Sequence, residues 1–126
     1  MPLWIIILCL ITHWIGDFVA QTHSQSIGKS TSNVVLSEHV FSYTMIWSIP
    51  AFIIFSTTLS FCDGFWRFLV FLVITYTTHF AIDYYTSRVN KQLWEAKEVH
   101  NFFVSVGFDQ VLHYLQIFGT LYLLLK

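Results

Sequence analysis

Charge is the scarcest ingredient of this chain: Asp, Glu, Lys and Arg together make up 10% of its 126 residues. Soluble domains carry about a quarter of their residues charged, because most of their surface faces water. The solvent for most of this surface is therefore expected to be lipid. Cysteine is scarce as well. Cys9 and Cys62 stand far apart in different settings, which excludes a disulfide framework and a metal knuckle and leaves the redox compartment open. The formal net charge is -1, without a basic or acidic tail, so nothing points to nucleic acid or another polyanion as partner. There is no internal repeat and no low-complexity segment. The length allows one domain, with no soluble module beside it.

What is abundant is apolar: 56% of residues are hydrophobic, 19% are aromatic and the mean hydropathy is +0.63. A spanning helix needs about 20 mostly apolar residues, and stretches at about 3–20, 34–60, 67–85 and 105–125 meet this. The expected fold is an all-α integral membrane protein, a single domain over residues 1–126 forming a bundle of four transmembrane helices. The first stretch starts without Lys or Arg and runs into His13 and Asp17, so it reads as a retained span and not as a secretory signal. Pro50 lies near the middle of the second and can kink it. Gln21 to Asn33 reads as a loop, Cys62-Asp63-Gly64 as a turn, and Thr86 to His100 as a second polar connection. In the last of these, Leu93, Ala96 and His100 at helical spacing suggest a short interfacial helix between helices 3 and 4. An even number of spans leaves both termini on one side. Lys29, Arg88, Lys91 and Lys97 on the loop side, against Arg67 and Lys126 opposite, bias the loops toward the cytoplasm. Trp4, Trp14, Trp47, Trp66 and Trp94 are expected to face lipid or anchor at its interface.

Against this apolar background, three of the four spans carry a histidine and an aspartate four residues apart: His13 with Asp17, His79 with Asp83, and Asp109 with His113. Positions i and i+4 share a helix face about 6 Å apart along the axis. Spans one and three run toward the loop side and span four runs away from it, and the His/Asp order reverses in the fourth. All three aspartates thus lie nearer the loops and all three histidines nearer the bilayer centre. Glu38 and His39, about one turn into the second span, reach the aspartate level from the remaining helix.

An ionisable group near the centre of a spanning helix costs about 2.5–3.5 kcal/mol on insertion scales and must find partners inside the bundle. A dication held by carboxylates and imidazoles neutralises the charge and accepts each lone pair. The metal ligand candidates are His13, Asp17, His39, His79, Asp83, Asp109 and His113. This donor set suits zinc, with iron or manganese as alternatives, and it suffices for one metal with outer partners or for two. A proton or ion relay, or interhelical hydrogen bonding alone, uses the same residues. His23 and His100 are expected to be solvated or interfacial. Cys9 lies on the face of His13 and is either near the site or simple packing. Gln21 and Gln110 flank the aspartates and either orient a ligand or cap a helix.

The segments HWIGDFVAQ, SEHV, HFAIDYY and FDQVLHYL, in this order, resemble an uncharacterised family of small bacterial and phage membrane proteins, filed as domain of unknown function 3307. The matching positions are His13, Asp17, Phe18, Gln21, His39, His79, Asp83, Asp109, Gln110 and His113. The resemblance extends over nearly the whole chain and implies a bacterial inner-membrane setting, without naming a reaction. By looser analogy, the layout is similar to small inner-membrane proteins assigned as metal-dependent hydrolases.

These readings converge on a metal-dependent hydrolase acting on a lipid or membrane-embedded substrate. Asp17, Asp83, Asp109 and Glu38 are the candidates for general base or for orienting the imidazoles. Two alternatives use the same residues: a subunit, oligomeric or not, that transports a metal ion or protons, and a non-enzymatic effector that binds another membrane protein and holds a structural metal.

Overall fold

The computed structural model describes residues 1–126 and is helical, with no strand. Helix α1 (Leu3–Trp14) runs directly into a π-helical turn, Ile15–Val19; α2 (His23–Gly28), α3 (Asn33–Thr58), α4 (Phe61–Glu95) and α5 (Val99–Leu124) follow. The long helices alternate in direction. The start of α4 meets the end of α5, where Arg67 donates to the carbonyl of Leu124 at 2.6 Å.

Two helices, α3 and α4, are long and apolar enough to cross a membrane, and Leu3–Val19 is a shorter apolar helix. Their hydroxyl residues do not interrupt them. Thr44 donates to the carbonyl of Val40 at 2.8 Å, Thr58 to Ile54 at 2.6 Å and Thr77 to Val73 at 2.9 Å, so each hydroxyl is satisfied by its own helix without water. Pro50 is accommodated inside α3, buried, and the helix continues through it to Thr58.

The connections differ from the sequence expectation in three places. Cys62-Asp63-Gly64 is the first turn of α4 and not a turn between helices. Ser60 donates to the carboxylate of Asp63 at 2.9 Å, and an acidic group in a first turn favours helix initiation. Gly64 serves close packing instead, since a Cβ there would stand 2.8 Å from the carbonyl oxygen of Phe55.

Second, Thr86 to Glu95 is not a loop but a continuation of α4, and no separate interfacial helix lies between α4 and α5. Polarity there marks an exit from apolar surroundings, and the residues still favour helix: Arg88 donates to the Tyr84 carbonyl at 2.7 Å and Lys91 pairs with Glu95 at 3.7 Å. At 35 residues, α4 is roughly 52 Å long at 1.5 Å per residue, well beyond the roughly 30 Å of a hydrocarbon core. It ends in a Schellman motif, with Glu98 N bonded to Leu93 O at 2.9 Å and Lys97 N to Trp94 O at 3.0 Å. Lys97 occupies the left-handed position at φ 60° that glycine usually takes. Third, the short extra helix is α2, within Gln21 to Asn33. A reciprocal capping box starts it: Thr22 Oγ1 accepts from Gln25 N, and Gln25 Oε1 accepts from Thr22 N.

The distribution of side chains is inverted relative to a water-soluble bundle. Among the buried residues twelve are apolar and twelve are polar or charged, while Trp14, Phe41, Ile49, Val73, Phe108 and Leu115 are exposed. The apolar core, including Ile5, Cys9, Trp47, Phe55, Phe71, Ile117 and Leu121, fills the half of the bundle nearer the termini. Cys9 is packing in that core. Trp47, expected at the lipid surface, is fully buried there, because it follows His39 and Tyr43 at four-residue steps on the inward face of α3. The other four tryptophans, Trp4, Trp14, Trp66 and Trp94, are exposed, between 46% and 65% accessible.

Candidate metal centre

The buried histidines and aspartates gather in the half nearer α2. His39 on α3 is central: its Nε2 lies 3.2 Å from Asp17 Oδ1, 3.4 Å from Asp83 Oδ2 and 3.3 Å from His79 Nε2. His79 Nε2 lies 3.7 Å from Asp17 Oδ1 and 3.6 Å from Asp83 Oδ2. Asp17 comes from the π-helical turn, and His79 with Asp83 from one face of α4. The π turn is tied to α3 by Gly16, where a Cβ would meet the ring of Tyr43 at 2.8 Å. Tyr43 in turn stacks on His79 with ring centroids 3.9 Å apart.

Helix α5 adds a second group. His113 Nε2 lies 3.1 Å from Asp83 Oδ1 and 3.4 Å from Asp109 Oδ1. Asp17, Asp109 and His113 are close enough to share an ion, as are Asp17, His39, His79 and Asp83. Asp17 belongs to both groups, and Asp83 turns one oxygen to His39 and the other to His113.

The arrangement can hold a metal. A tetrahedral ion with bonds of about 2.0–2.1 Å sets its ligand atoms about 3.3 Å apart, and the five distances around His39 and His79 fall between 3.2 and 3.7 Å. The contact between the two imidazole Nε2 atoms is informative. As a hydrogen bond it requires one protonated and one bare nitrogen, whereas around a cation both lone pairs converge.

Two of the sequence-derived candidates lie outside both metal groups. Both ring nitrogens of His13 are engaged by protein: Nε2 with Gln110 Oε1 and Nδ1 with the Tyr43 hydroxyl, each at 2.8 Å. Since Gln110 Oε1 only accepts, His13 Nε2 donates and Nδ1 accepts from Tyr43. His13 belongs to neither metal group. Glu38 is exposed and is not at the site. Adjacent helix positions lie about 100° apart, so turning His39 inward turns Glu38 out. His23 and His100 are exposed.

Three partners, Lys29, Thr86 and Tyr43, were not singled out by the sequence pattern. Lys29, read only as a loop charge, reaches in to Asp83 Oδ2 at 2.8 Å and Asp17 Oδ1 at 3.8 Å, its side chain 16% exposed. Burial pulls its pKa down, but Asp83 and Asp17 outweigh that and hold it above the usual lysine value. Thr86 donates to Asp109 Oδ1 at 2.6 Å. Tyr43, four residues after His39, carried a detectable signal in that spacing; Lys29 carried none, because its approach depends on α2 folding back over the bundle. Gln110 ties the two groups together, donating to Asp17 Oδ2 at 3.2 Å and Asp109 Oδ2 at 3.0 Å. The Gln21 amide lies 3.1 Å from His39 Nδ1; with its oxygen turned to that nitrogen it accepts from Nδ1–H, the tautomer that a metal at Nε2 requires, so both glutamines orient site residues.

Residues 5–125 match the family described as proteins of unknown function, DUF3307. The chain belongs to this family. The match includes every residue of both metal groups, together with Lys29, Tyr43 and Gln110. No curated protein and no solved structure matches the chain. For this DUF3307 member, chemistry must be argued from the site itself.

Proposed function

We propose that the chain is a four-span membrane protein whose His/Asp cluster holds a dication and hydrolyses a substrate resident in the membrane. The spans are α1 with its π-helical turn, α3, α4 up to about Tyr85, and α5. Leu3–Val19 supplies roughly 25 Å of helix at 1.5 Å per residue, and the exposed apolar side chains on all four favour lipid around them. We place α2 and the α4–α5 connection on the cytoplasmic side, following the basic residues there.

The observation that carries the reading is the convergence of Asp17 Oδ1, His39 Nε2, His79 Nε2 and Asp83 Oδ2, with every distance that involves an imidazole between 3.2 and 3.7 Å, near the spacing of a tetrahedral shell. Zinc suits these donors best, and iron or manganese accept the same set. Asp17 and Asp83, each offering its second oxygen toward α5, favour a second ion with Asp109 and His113. A dication supplies Lewis acidity and eases deprotonation of a water.

Asp109 is placed to act as the base. It is 8% exposed, lines a cavity that opens outward, and is oriented by Thr86 and Gln110. It takes one proton from the attacking water. The water oxygen then bonds to the acyl or phosphoryl centre, the bond to the leaving group breaks, and the proton returns to that group. A purely structural metal has no use for this opening. A relay would need a path past Tyr43, Trp47 and Phe71, all fully buried in apolar packing.

The test is metal analysis of detergent-purified protein with turnover of ester and phosphoester lipids in mixed micelles. Asp109→Asn should keep the ion held by Asp17, His39, His79 and Asp83 and lose at least a hundredfold in turnover. Bound metal with no turnover of any such lipid would assign the effector role; protein unable to take up metal would end the reading.

A further inference from the structure

Asp17 and Asp109 face a cavity of about 760 Å³, and part of its remaining wall has no part in metal binding. One wall is the far end of α4. Ser87, Asn90 and Lys91 line it, spaced i, i+3 and i+4 on one stripe that starts one turn beyond Asp83. Ser87 is 8% exposed, yet its hydroxyl has no hydrogen-bond partner, and Asn90 Oδ1 also lacks one. Buried polar atoms are normally partnered. The ammonium of Lys91 has only a 3.7 Å pairing with exposed Glu95. The Ser87 hydroxyl and the Lys91 ammonium on this stripe offer donors to an oxyanion, and the Asn90 carboxamide offers its NH2 once its oxygen and nitrogen are exchanged.

The opposite rim is different in kind. Phe18 of the π-helical turn and Phe103 and Val106 of α5 line the same cavity. Phe18 is 48% and Phe103 64% exposed, so the cavity mouth between these elements is apolar and continuous with the outer apolar surface. A site for a small soluble anion has no need of such a rim. An amphiphile does.

We propose that this cavity takes a lipid with a phosphate-type headgroup, the headgroup on Ser87, Asn90 and Lys91 beside the metal centre and the chain leaving past Phe18 into the bilayer. This rests on the metal-centre reading, because Asp17, Asp83 and Asp109 outnumber Lys29 and would repel an anion without a dication. The same side chains name the substrate class for the hydrolysis above: a lipid phosphate or phosphodiester.

The experiment uses the full chain in neutral detergent, loaded with zinc and assayed for metal before each titration. Three probes are compared: phosphatidic acid, diacylglycerol with the same chains, and inorganic phosphate. Phosphatidic acid should bind saturably and at least tenfold more tightly than either comparator. Ser87→Ala and Lys91→Gln should each weaken it about tenfold, one charge-assisted hydrogen bond, with metal content unchanged. Val106→Trp should weaken phosphatidic acid and leave inorganic phosphate unaffected. Equal binding of diacylglycerol overturns the headgroup assignment. Inorganic phosphate binding as tightly as the lipid overturns the chain exit and assigns a free phosphate site. Unchanged affinity in both Ser87→Ala and Lys91→Gln, with metal present, overturns the proposal while the hydrolase reading stands; failure to take up zinc overturns both.

Discussion

The ammonium of Lys29 stands 2.8 Å from Asp83 Oδ2, 54 residues away in sequence, where it balances part of the charge on the cluster. It is a cation already inside a cation site. Breaking a buried pair by removing one partner costs about 3–5 kcal/mol. Lys29→Gln should therefore lower the melting temperature of metal-free protein substantially. In metal-loaded protein the loss should be smaller and zinc affinity should rise, since no ammonium competes for Asp83. Paired melts with and without chelator check this, and an equal loss in both states would show that Lys29 is structural glue alone.

The same pair sets a pH dependence. Lys29 has a folded pKa raised above the unfolded lysine value of about 10.4. Its contribution is then fully present below that value and lost as pH rises through the folded pKa. Metal-free protein should lose stability above about pH 10.5, and Lys29→Gln should lose less over that interval. Denaturation at a series of alkaline pH values measures the difference.

Two glycines provide an internal control on packing around the site. A Cβ on Gly16 would stand 2.8 Å from the Tyr43 ring, which stacks on His79, whereas one on Gly107 meets nothing within 4 Å. Overpacking costs about 1–3 kcal/mol, while Gly to Ala in an open helix position gains up to about 1 kcal/mol. Gly16→Ala should destabilise the protein and weaken zinc binding; Gly107→Ala should do neither. Thermal melts with metal titration separate the two.

How much of this was legible in the sequence depends on which force placed each residue. The His/Asp pairs were readable because four-residue spacing fixes a face on any helix, and burial cost then demands a common interior. That logic brought Asp17, His39, His79, Asp83, Asp109 and His113 together. It did not sort His13 from the rest, since its exclusion depends on Gln110 and Tyr43 filling both ring nitrogens, a fact of three-dimensional contact. Thr86 to Glu95 was misread as loop because hydropathy reports the solvent around a helix and not the helix itself. Lys29 was missed for a third reason: its role is set by how α2 folds back.

Topology can be read with a native reporter. Cys62 is exposed at the end of the bundle near the termini and Cys9 is buried, so an impermeant thiol reagent reads Cys62 alone. Wild type should label from one side of the membrane. Ser26→Cys in a Cys62→Ser background should label from the other, and so should Gln92→Cys beyond the expected span of α4. Labelling of the positions 26 and 62 from the same side would rule out an odd number of spans between them, and with it the four-span arrangement.

The last prediction separates ligands from their neighbours. If the cluster binds a dication, ligand binding to the folded state alone raises stability by mass action, so chelation should lower the melting temperature and zinc should restore it. His79→Ala and Asp83→Ala each remove a donor atom from the four-atom shell and should abolish the chelator-dependent shift. His13→Ala should destabilise the protein, because Gln110 and Tyr43 lose a buried partner, yet leave the shift in place. Glu38→Gln, on an exposed face, should change stability by no more than about 0.5 kcal/mol and leave the shift intact. The four variants thus predict two patterns that a general loss of packing cannot imitate. A relay would respond to pH and not to chelator, and so would a cluster held by Lys29 alone. Retention of the full shift in His79→Ala and Asp83→Ala would move the metal away from these residues, and loss of it in His13→Ala would bring His13 back into the shell.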